Sequence, residues 1–516
     1  MLNKCYCATC IGVEAVVVTV EIDLSTGVGI HLVGLPDSAV RESLLRVITA
    51  LTSYGFRIPG RKLVVNLAPA DIRKEGSAYD LAIALGLLAV SEQVPLADCD
   101  RFVIMGELAL DGRIRPVNGA LPVAMQARAE GFRGCIFPAD SAQEAAEVEG
   151  LDVYGVSTLG EAIEVLSQCG TCGRLRVRKA SEPAVSRPSG SDFRQVRGQQ
   201  VARRGLEIAA AGGHNLILVG SPGSGKSLMA SCLPSILPPM TRDEAVETGK
   251  VYSVAGRGLR SGALMQERPF RAPHHSASLV SLIGGGPQAG PGEISLAHNG
   301  VLYLDEIAQF SRNLLDALRQ PLEDGKVTIS RARYKVDYPA HFMLVASMNP
   351  CPCGYYGDGG GRCTCTRGAV EGYLSRISGP MMDRIDLQIW VRSLSAAELL
   401  GIGETGAAQP AAEGSAAIAL RVAQARAVQA ARFAGTGIHT NASMDTRLLE
   451  RFCPLSADCR RTLGQILDRT GLSARAYTRV LKVARTIADL SGSSDIRPAH
   501  LLEAAGYRFL DRRLPD

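Results

Sequence analysis

The residues Leu216 to Ser227 constrain this chain more than any others. They read LILVGSPGSGKS: an apolar strand, Leu216 to Val219, runs into Gly220-x-x-x-x-Gly225-Lys226-Ser227, and an apolar helix follows. Strand, glycine-rich turn and helix in that order make a phosphate-binding loop. Glycines let successive backbone N–H groups curl round an anion, and the helix N-terminus adds positive potential. The expected nucleotide-binding residues are Gly220, Ser221, Pro222, Gly223, Ser224, Gly225, Lys226 and Ser227. Lys226 would reach the β and γ phosphates, and the Ser227 hydroxyl would hold Mg²⁺. Such a loop places the middle of the chain in the α/β class.

A metal-bound nucleotide needs an acid nearby. The apolar run Val301-Leu302-Tyr303-Leu304 ends in Asp305-Glu306. Asp305 is expected to bind Mg²⁺ through water. Glu306 points the other way by strand alternation and would polarise an attacking water. A dedicated carboxylate beside Asp305 favours hydrolysis over mere binding. No Asn-Lys-x-Asp guanine-reading motif occurs, so ATP is favoured over GTP. The next strand, His341 to Ser347, ends at Met348-Asn349-Pro350. Asn349 there would orient water or the γ-phosphate, although an Asn-Pro turn is a competing reading.

The 516 residues suggest three domains. Residues 1–169 read as an α/β unit. Strand-like runs (Ala15 to Ile22, Lys62 to Leu67, Arg101 to Ile104, Gly134 to Phe137) alternate with helical patterns (Ser38 to Ser53, Tyr79 to Ala89, Leu121 to Glu130). Residues 170–192 read as a flexible basic linker, and 193–400 as the nucleotide core. Residues 401–516 read as helical, with Val480, Val483, Ala484, Ile487 and Leu490 at helical spacing. The net charge of +5 is uneven: residues 173–204 alone hold +7. No apolar run approaches the ~20 residues of a membrane span. No export signal is visible, so a cytoplasmic location is expected.

Fourteen cysteines in such a chain argue for thiols or metal ligands rather than disulfides. Cys351-x-Cys353 and Cys363-x-Cys365 put four thiols in one glycine-rich loop, a set that suits structural Zn²⁺. Cys169 with Cys172, and Cys5 with Cys7 and Cys10, are weaker candidates.

The order of Lys226, Asp305-Glu306, Asn349, GPMMDRID (379–386) and Ser473-Ala474-Arg475 resembles a AAA+ ATPase. More narrowly, the chain resembles the magnesium-chelatase-like ComM/YifB family. The segments that carry this are VRGQQ (196–200), RPFRAPHHSAS (268–278), PGEISLAHNGVLYLDE (291–306) and MNPCPCGYYGD (348–358). In the N-terminal part they are GLPDSAVRESLLRV (34–47) and VNLAPADIRKEGSAYDLAIALG (65–86). The resemblance covers essentially the whole chain. It implies an α/β multidomain protein: an N-terminal domain shared with Lon-type proteases and ribosomal protein S5, a AAA+ core, and a C-terminal helical lid.

The resemblance further implies a homo-oligomeric ring, usually a hexamer, with nucleotide at subunit interfaces. Arg384 matches the arginine that a neighbour supplies to the transferring phosphoryl group, with Arg376 a weaker alternative. Arg475 matches the lid arginine that touches the γ-phosphate in cis. Ser77 falls near the Lon nucleophile, but the lysine position holds Leu121, and a lone serine is not activated. The domain therefore reads as non-proteolytic. The run ISRARYKVDY resembles a hairpin that points into the ring channel. Arg331, Arg333 and Lys335 alternate there and would share one strand face against a DNA backbone. The implied activity is a Mg²⁺-dependent DNA motor linked to branch migration during natural transformation. Two alternatives are a nucleotide-switched interaction scaffold and a chelatase-type motor subunit. The latter would work with a partner carrying an Asp-x-Ser-x-Ser metal site, a motif not expected in this chain.

Overall fold

A computed structural model describes residues 2–96, 98–168, 170–179, 191–258, 264–286, 289–331, 334–359, 361–394, 413–471 and 473–511. Its first large sheet is mixed. β1 (Leu2–Ile11) and β2 (Glu14–Ser25) form a long antiparallel hairpin. β3 (Ile30–Val33) and β4 (Lys62–Ala68) extend it on one side. β5 (Phe102–Ile104), β6 (Gly134–Pro138) and β7 (Asp152–Val156) extend it on the other, in the order β3-β4-β2-β1-β5-β6-β7.

Helix α1 (Ser38–Ser53) starts where Asp37 accepts a 2.7 Å bond from the Val40 N–H. Its buried residues Val40, Ser43, Val47, Ala50 and Leu51 recur on one face. Helix α2 (Asp80–Val90) is apolar all round because it lies within the core. Its single acid, Asp80, meets the Arg46 guanidinium at 2.7 Å. Helix α3 (Ala120–Ala129) completes this layer.

The stretch after this sheet departs from the flexible linker expected over 170–192. The Gly155 N–H donates to Leu175 O at 2.9 Å and the Val177 N–H to Val153 O at 2.8 Å, so the segment lies alongside β7. Arg176 pairs with Asp152, Arg174 with Glu164, and Lys179 with Glu147 and Glu149. Part of the local basic excess is therefore matched by the domain's own acids. Residues 180–190 of the expected linker lie outside the described residues, as does most of the Gly/Ala-rich break near 401–415.

The second large sheet is parallel. It comprises β8 (Leu216–Gly220), β9 (Phe270–Arg271), β10 (Val301–Leu304), β13 (Met343–Met348) and β14 (Leu387–Val391), in the order β9-β10-β13-β8-β14. β11 (Lys326–Arg331) and β12 (Tyr334–Pro339) form a separate antiparallel hairpin. Helix α4 (Gln200–Gly212) leads into β8, and α5 (Lys226–Cys232) leaves it. The lid contributes α7 (Ser415–Arg432), α8 (Ala457–Thr470), α9 (Ala474–Leu490) and α10 (Pro498–Gly506). In α9, Val480, Val483, Ala484 and Ile487 are buried, as their spacing predicts; they share one apolar cluster with Leu218 and Ile389 of the sheet. No helix among the described residues is long and apolar enough to cross a membrane.

Helix α6 (Arg242–Val254) carries the contact between the first domain and the core. The Gly119 N–H donates to Ser253 O at 3.1 Å, and Ser253 Oγ donates to Glu144 Oε1 at 2.6 Å. Gly12, at the β1–β2 turn, comes so close to the β11–β12 hairpin that a Cβ there would lie 2.5 Å from Val336 Cγ1.

Candidate active site

The sheet order sets the site. β13 lies between β10 and β8, so the ends of all three strands converge on one corner. β8 delivers the glycine-rich loop. Gly220 must be glycine for packing, since a Cβ would meet Val391 O at 2.2 Å. Gly223 and Gly225 are needed for conformation: their φ values are +75° and +89°, with open space where a Cβ would project. The Lys226 ammonium caps its own loop, donating to Gly220 O at 2.8 Å and Ser221 O at 2.9 Å. Its third bond, 3.3 Å, goes to Asn349 Oδ1 at the end of β13. Asn349 thus lies between the two other motifs, where its spacing placed it. Burial pulls the Lys226 ammonium below its ordinary value, against the opposing pull of Asp305 and Glu306.

Asp305 and Glu306 follow β10. Asp305 Oδ2 accepts from Ser227 Oγ at 3.2 Å. Its Oδ1 accepts from the Tyr303 hydroxyl at 2.8 Å and from Ser347 Oγ. Burial would raise the Asp305 carboxyl, but bonds from Ser347, Tyr303 and Ser227 outweigh it and hold the group below its ordinary value. Burial pushes the Tyr303 phenol up to about 12, so it stays a donor.

Glu306 corrects one expectation. β10 stops at Leu304, and Glu306 adopts φ +51°, so a left-handed turn rather than strand alternation sets its direction. The Glu306 N–H donates 3.1 Å to Ser347 Oγ, which fixes that turn. Reading the sequence for acids missed Ser347 and Tyr303, because a buried hydroxyl inside an apolar strand carries no motif.

The remaining predicted residues fall into three groups. Arg384 is buried, with Nη1 donating to Pro380 O at 2.6 Å, Nε to Arg319 O at 3.2 Å, and Nη2 paired with Glu323. Arg475 is exposed and pairs with Asp383 at 2.9 Å, directly beside Arg384. Arg376 is exposed over the Tyr373 ring.

The hairpin corrects a second expectation. Arg331 ends β11 opposite Tyr334, whereas Lys335 lies on β12 opposite Ser330. Arg331 and Lys335 therefore lie on opposite faces of the hairpin. Lys335 is exposed; Arg333 and the Arg331 side chain lie outside the described residues.

In the first domain, Ser77 Oγ donates to Glu107, and Leu121 is buried, so no amine stands at the expected base position. Cys5 and Cys7 are buried on β1, and Cys10 donates to Gly119 O; Cys169 lies outside the described residues. Among the described residues, the one group of His, Cys, Asp or Glu that could hold a metal is Cys351, Cys353, Cys363 and Cys365. Their ligand atoms lie within 4.8 Å of one another. Backbone N–H groups of Tyr355 and Thr364 draw the Cys353 thiol down to about 6.

The expected absence of an Asp-x-Ser-x-Ser motif is corrected by one string with that spelling, Asp489 to Ser493 at the end of α9. It is not a metal site. Asp489 accepts from Arg432 at 2.7 Å, Asn441 at 2.8 Å and Arg485 at 3.1 Å, so its carboxylate is spent inside the lid.

These residues fit a bound nucleotide and cation. The Ser224 hydroxyl is buried within the loop with no partner among the described residues. Ser227 and Asp305 present hard oxygen donors side by side, as Mg²⁺ prefers.

Comparison with known proteins agrees with this geometry. A family model described as magnesium chelatase, subunit ChlI, matches residues 192–399. Its C-terminal counterpart matches residues 412–508, and a model described as subunit ChlI of Mg-chelatase matches residues 20–141. Competence protein ComM of Haemophilus influenzae is 43% identical over 511 residues, covering 99% of this chain and 98% of that protein. The uncharacterized protein YifB of Escherichia coli is 42% identical over 510 residues, covering 98% and 96%. Lon protease 2 of Bacillus subtilis is 26% identical over 129 residues, 25% of this chain and 23% of that protein.

Proposed function

Because this chain belongs to the ComM/YifB-type magnesium-chelatase-like family, and is thus a AAA+ ATPase-like motor, we propose that it hydrolyses ATP with Mg²⁺ to drive movement on DNA. The observation that carries the ATPase reading is the meeting of Lys226, Ser227, Asp305, Glu306 and Asn349 at one sheet corner. Residues 1–169 serve as a non-proteolytic Lon-like domain, 193–400 as the motor and 401–516 as the lid, with 170–192 between the first two.

In this reading the loop N–H groups and Lys226 hold the phosphates, while Ser227 and Asp305 hold the cation. When bound there, Mg²⁺ would supply charge neutralisation to the phosphates. Glu306 takes the proton of the attacking water on its carboxylate, and Asn349 orders water against the terminal phosphate. Arg384 serves the site of a neighbouring copy in a ring, usually hexameric. Arg475, exposed on the lid and paired with Asp383, touches the γ-phosphate of its own subunit's nucleotide in this reading.

The DNA part rests on the likeness to a protein named for competence, and on the exposed Lys335 of the hairpin. It extends to branch migration of recombining strands during natural transformation, in the cytoplasm. The test is ATP turnover by the purified chain, alone and with single-stranded, duplex or four-way-junction DNA, with Glu306→Gln as dead control. Stimulation greatest with the junction supports the reading. Turnover that ignores every DNA sinks the motor and favours a nucleotide-switched scaffold.

A further inference from the structure

The loop that follows Asn349 holds a second constellation with its own chemistry. Cys351 Sγ lies 3.3 Å from Cys353 Sγ and 3.8 Å from Cys363 Sγ, and Cys353 Sγ lies 3.6 Å from Cys363 Sγ. Cys365 completes the group, with all four donor atoms within 4.8 Å. Sulfurs at ~2.3 Å from a tetrahedral centre stand about 3.8 Å apart, so this spacing matches a closed four-thiolate shell. A disulfide would need ~2.05 Å. The Tyr356 N–H also donates to Cys351 Sγ at 3.3 Å, the kind of backbone bond that orients a metal thiolate.

The loop is seated on the phosphate site. Gly354, with φ +86°, comes so close to the glycine-rich loop that a Cβ would lie 2.7 Å from Pro222 Cδ. Gly357 packs on β14, where a Cβ would stand 3.0 Å from Trp390 Cζ2. Asn349, two residues before Cys351, touches Lys226.

We propose that Cys351, Cys353, Cys363 and Cys365 bind one Zn²⁺ as a closed tetrahedral site, and that the metallated loop braces Pro222 and Asn349 so that the glycine-rich loop is held ready for nucleotide. Four thiolates leave no open coordination position, so the ion is structural and not a second catalytic metal. Binding releases the thiol protons to solvent. The coupling half rests on the nucleotide reading above; the metal half does not.

The test uses the full chain. Zinc content is measured by elemental analysis, and the affinity for a fluorescent ADP analogue is measured before and after a mercurial reagent displaces the metal. About one Zn²⁺ per chain is expected, lost in Cys363→Ser. Displacement should weaken the ADP analogue roughly tenfold, with recovery on removing the mercurial and restoring Zn²⁺. Gly354→Ala, which strikes Pro222 without touching a ligand, should keep its zinc and still weaken the analogue. A chain that holds no zinc after anaerobic reconstitution overturns the site, as does stoichiometric iron with thiolate-to-iron colour. Zinc bound and displaced with unchanged analogue affinity overturns the brace. A zinc-loaded chain that never binds the analogue removes the nucleotide reading and leaves the metal site standing.

Discussion

Asp305 is held by three hydroxyls, and two of them can be removed almost without changing shape. Tyr303→Phe deletes the 2.8 Å bond to Oδ1; Ser347→Ala deletes both the bond to Oδ1 and the 3.1 Å acceptor for the Glu306 N–H. A hydrogen bond to a charged group contributes about 1.5–3 kcal/mol, and the low end applies because Asp305 is exposed on one side. Tyr303→Phe should therefore weaken productive metal binding by about 1.5 kcal/mol, a roughly tenfold rise in the Mg²⁺ concentration for half-maximal turnover. Ser347→Ala also frees the turn at Glu306, costing about 1 kcal/mol more. Its kcat/KM should fall roughly seventyfold, with part of the loss in kcat. Steady-state ATPase titrations in Mg²⁺, with Mn²⁺·ADP binding followed by the free-Mn²⁺ spin signal, separate the two effects. If both variants match wild type within twofold while Glu306→Gln is dead, the hydroxyls do not position the acids and the reasoning fails.

Other outcomes follow from the same site. Lys226→Ala should lose at least tenfold in nucleotide affinity, read by isothermal titration. Arg384→Ala and Lys226→Ala should each be inactive alone yet regain turnover when mixed, because mixed interfaces pair an intact loop with an intact arginine; no recovery would argue against a shared site. Stability should also depend on pH through His214, which is buried between Asp386 at 3.1 Å and Thr486 at 2.8 Å, with Lys482 and Arg479 nearby. Burial holds its imidazole below 6.5, so the unfolded chain takes up a proton first as pH falls. Burial would raise the Asp386 carboxyl, but Arg479 and His214 hold it well below the usual carboxylate range. The native form thus binds fewer protons at both groups. The melting temperature should drop as pH falls below about 6.5 and drop further below about 4. His214→Gln should flatten the upper part of that curve, as differential scanning calorimetry would show.

Much of the site was legible because phosphate chemistry demands a fixed local pattern. The strand, the glycines, Lys226 and Ser227 are contiguous, so the sequence alone orders them. Helical spacing likewise predicted α1 and the buried face of α9, and the strand runs near Lys62 and Gly134 match β4 and β6 within a few residues. What escaped depends on contacts between distant segments. Ser347 matters only because β13 pairs with β10. β1 carries three closely spaced cysteines, a pattern that reads as metal ligands, yet Cys5 and Cys7 lie on the buried face of a strand. The basic face expected of Arg331, Arg333 and Lys335 assumed one continuous strand, and β11 ends at Arg331. Residues 171–179 read as linker because their acidic partners lie in the preceding helix and strand, 10 residues back for Arg174 and 24 for Arg176, and no local spacing marks those pairs.

The burial of Arg384 has a consequence for how such a motor idles. In the single chain its guanidinium is folded against Pro380, Arg319 and Glu323, with the arginine side chain 8% exposed and the glutamate 64% exposed. The pair to the exposed glutamate contributes about 1 kcal/mol or less, and the two carbonyl bonds add about 1.5–3 kcal/mol each because the donor is charged. Reaching a neighbour's site in the proposed ring would require the dense charge of a bound triphosphate to compete with these partners, which solvent alone does not. In the proposed ring, a solitary subunit would behave as a coincidence detector, firing only when a nucleotide and a neighbour arrive together. Fuel would then be spared while the assembly is incomplete.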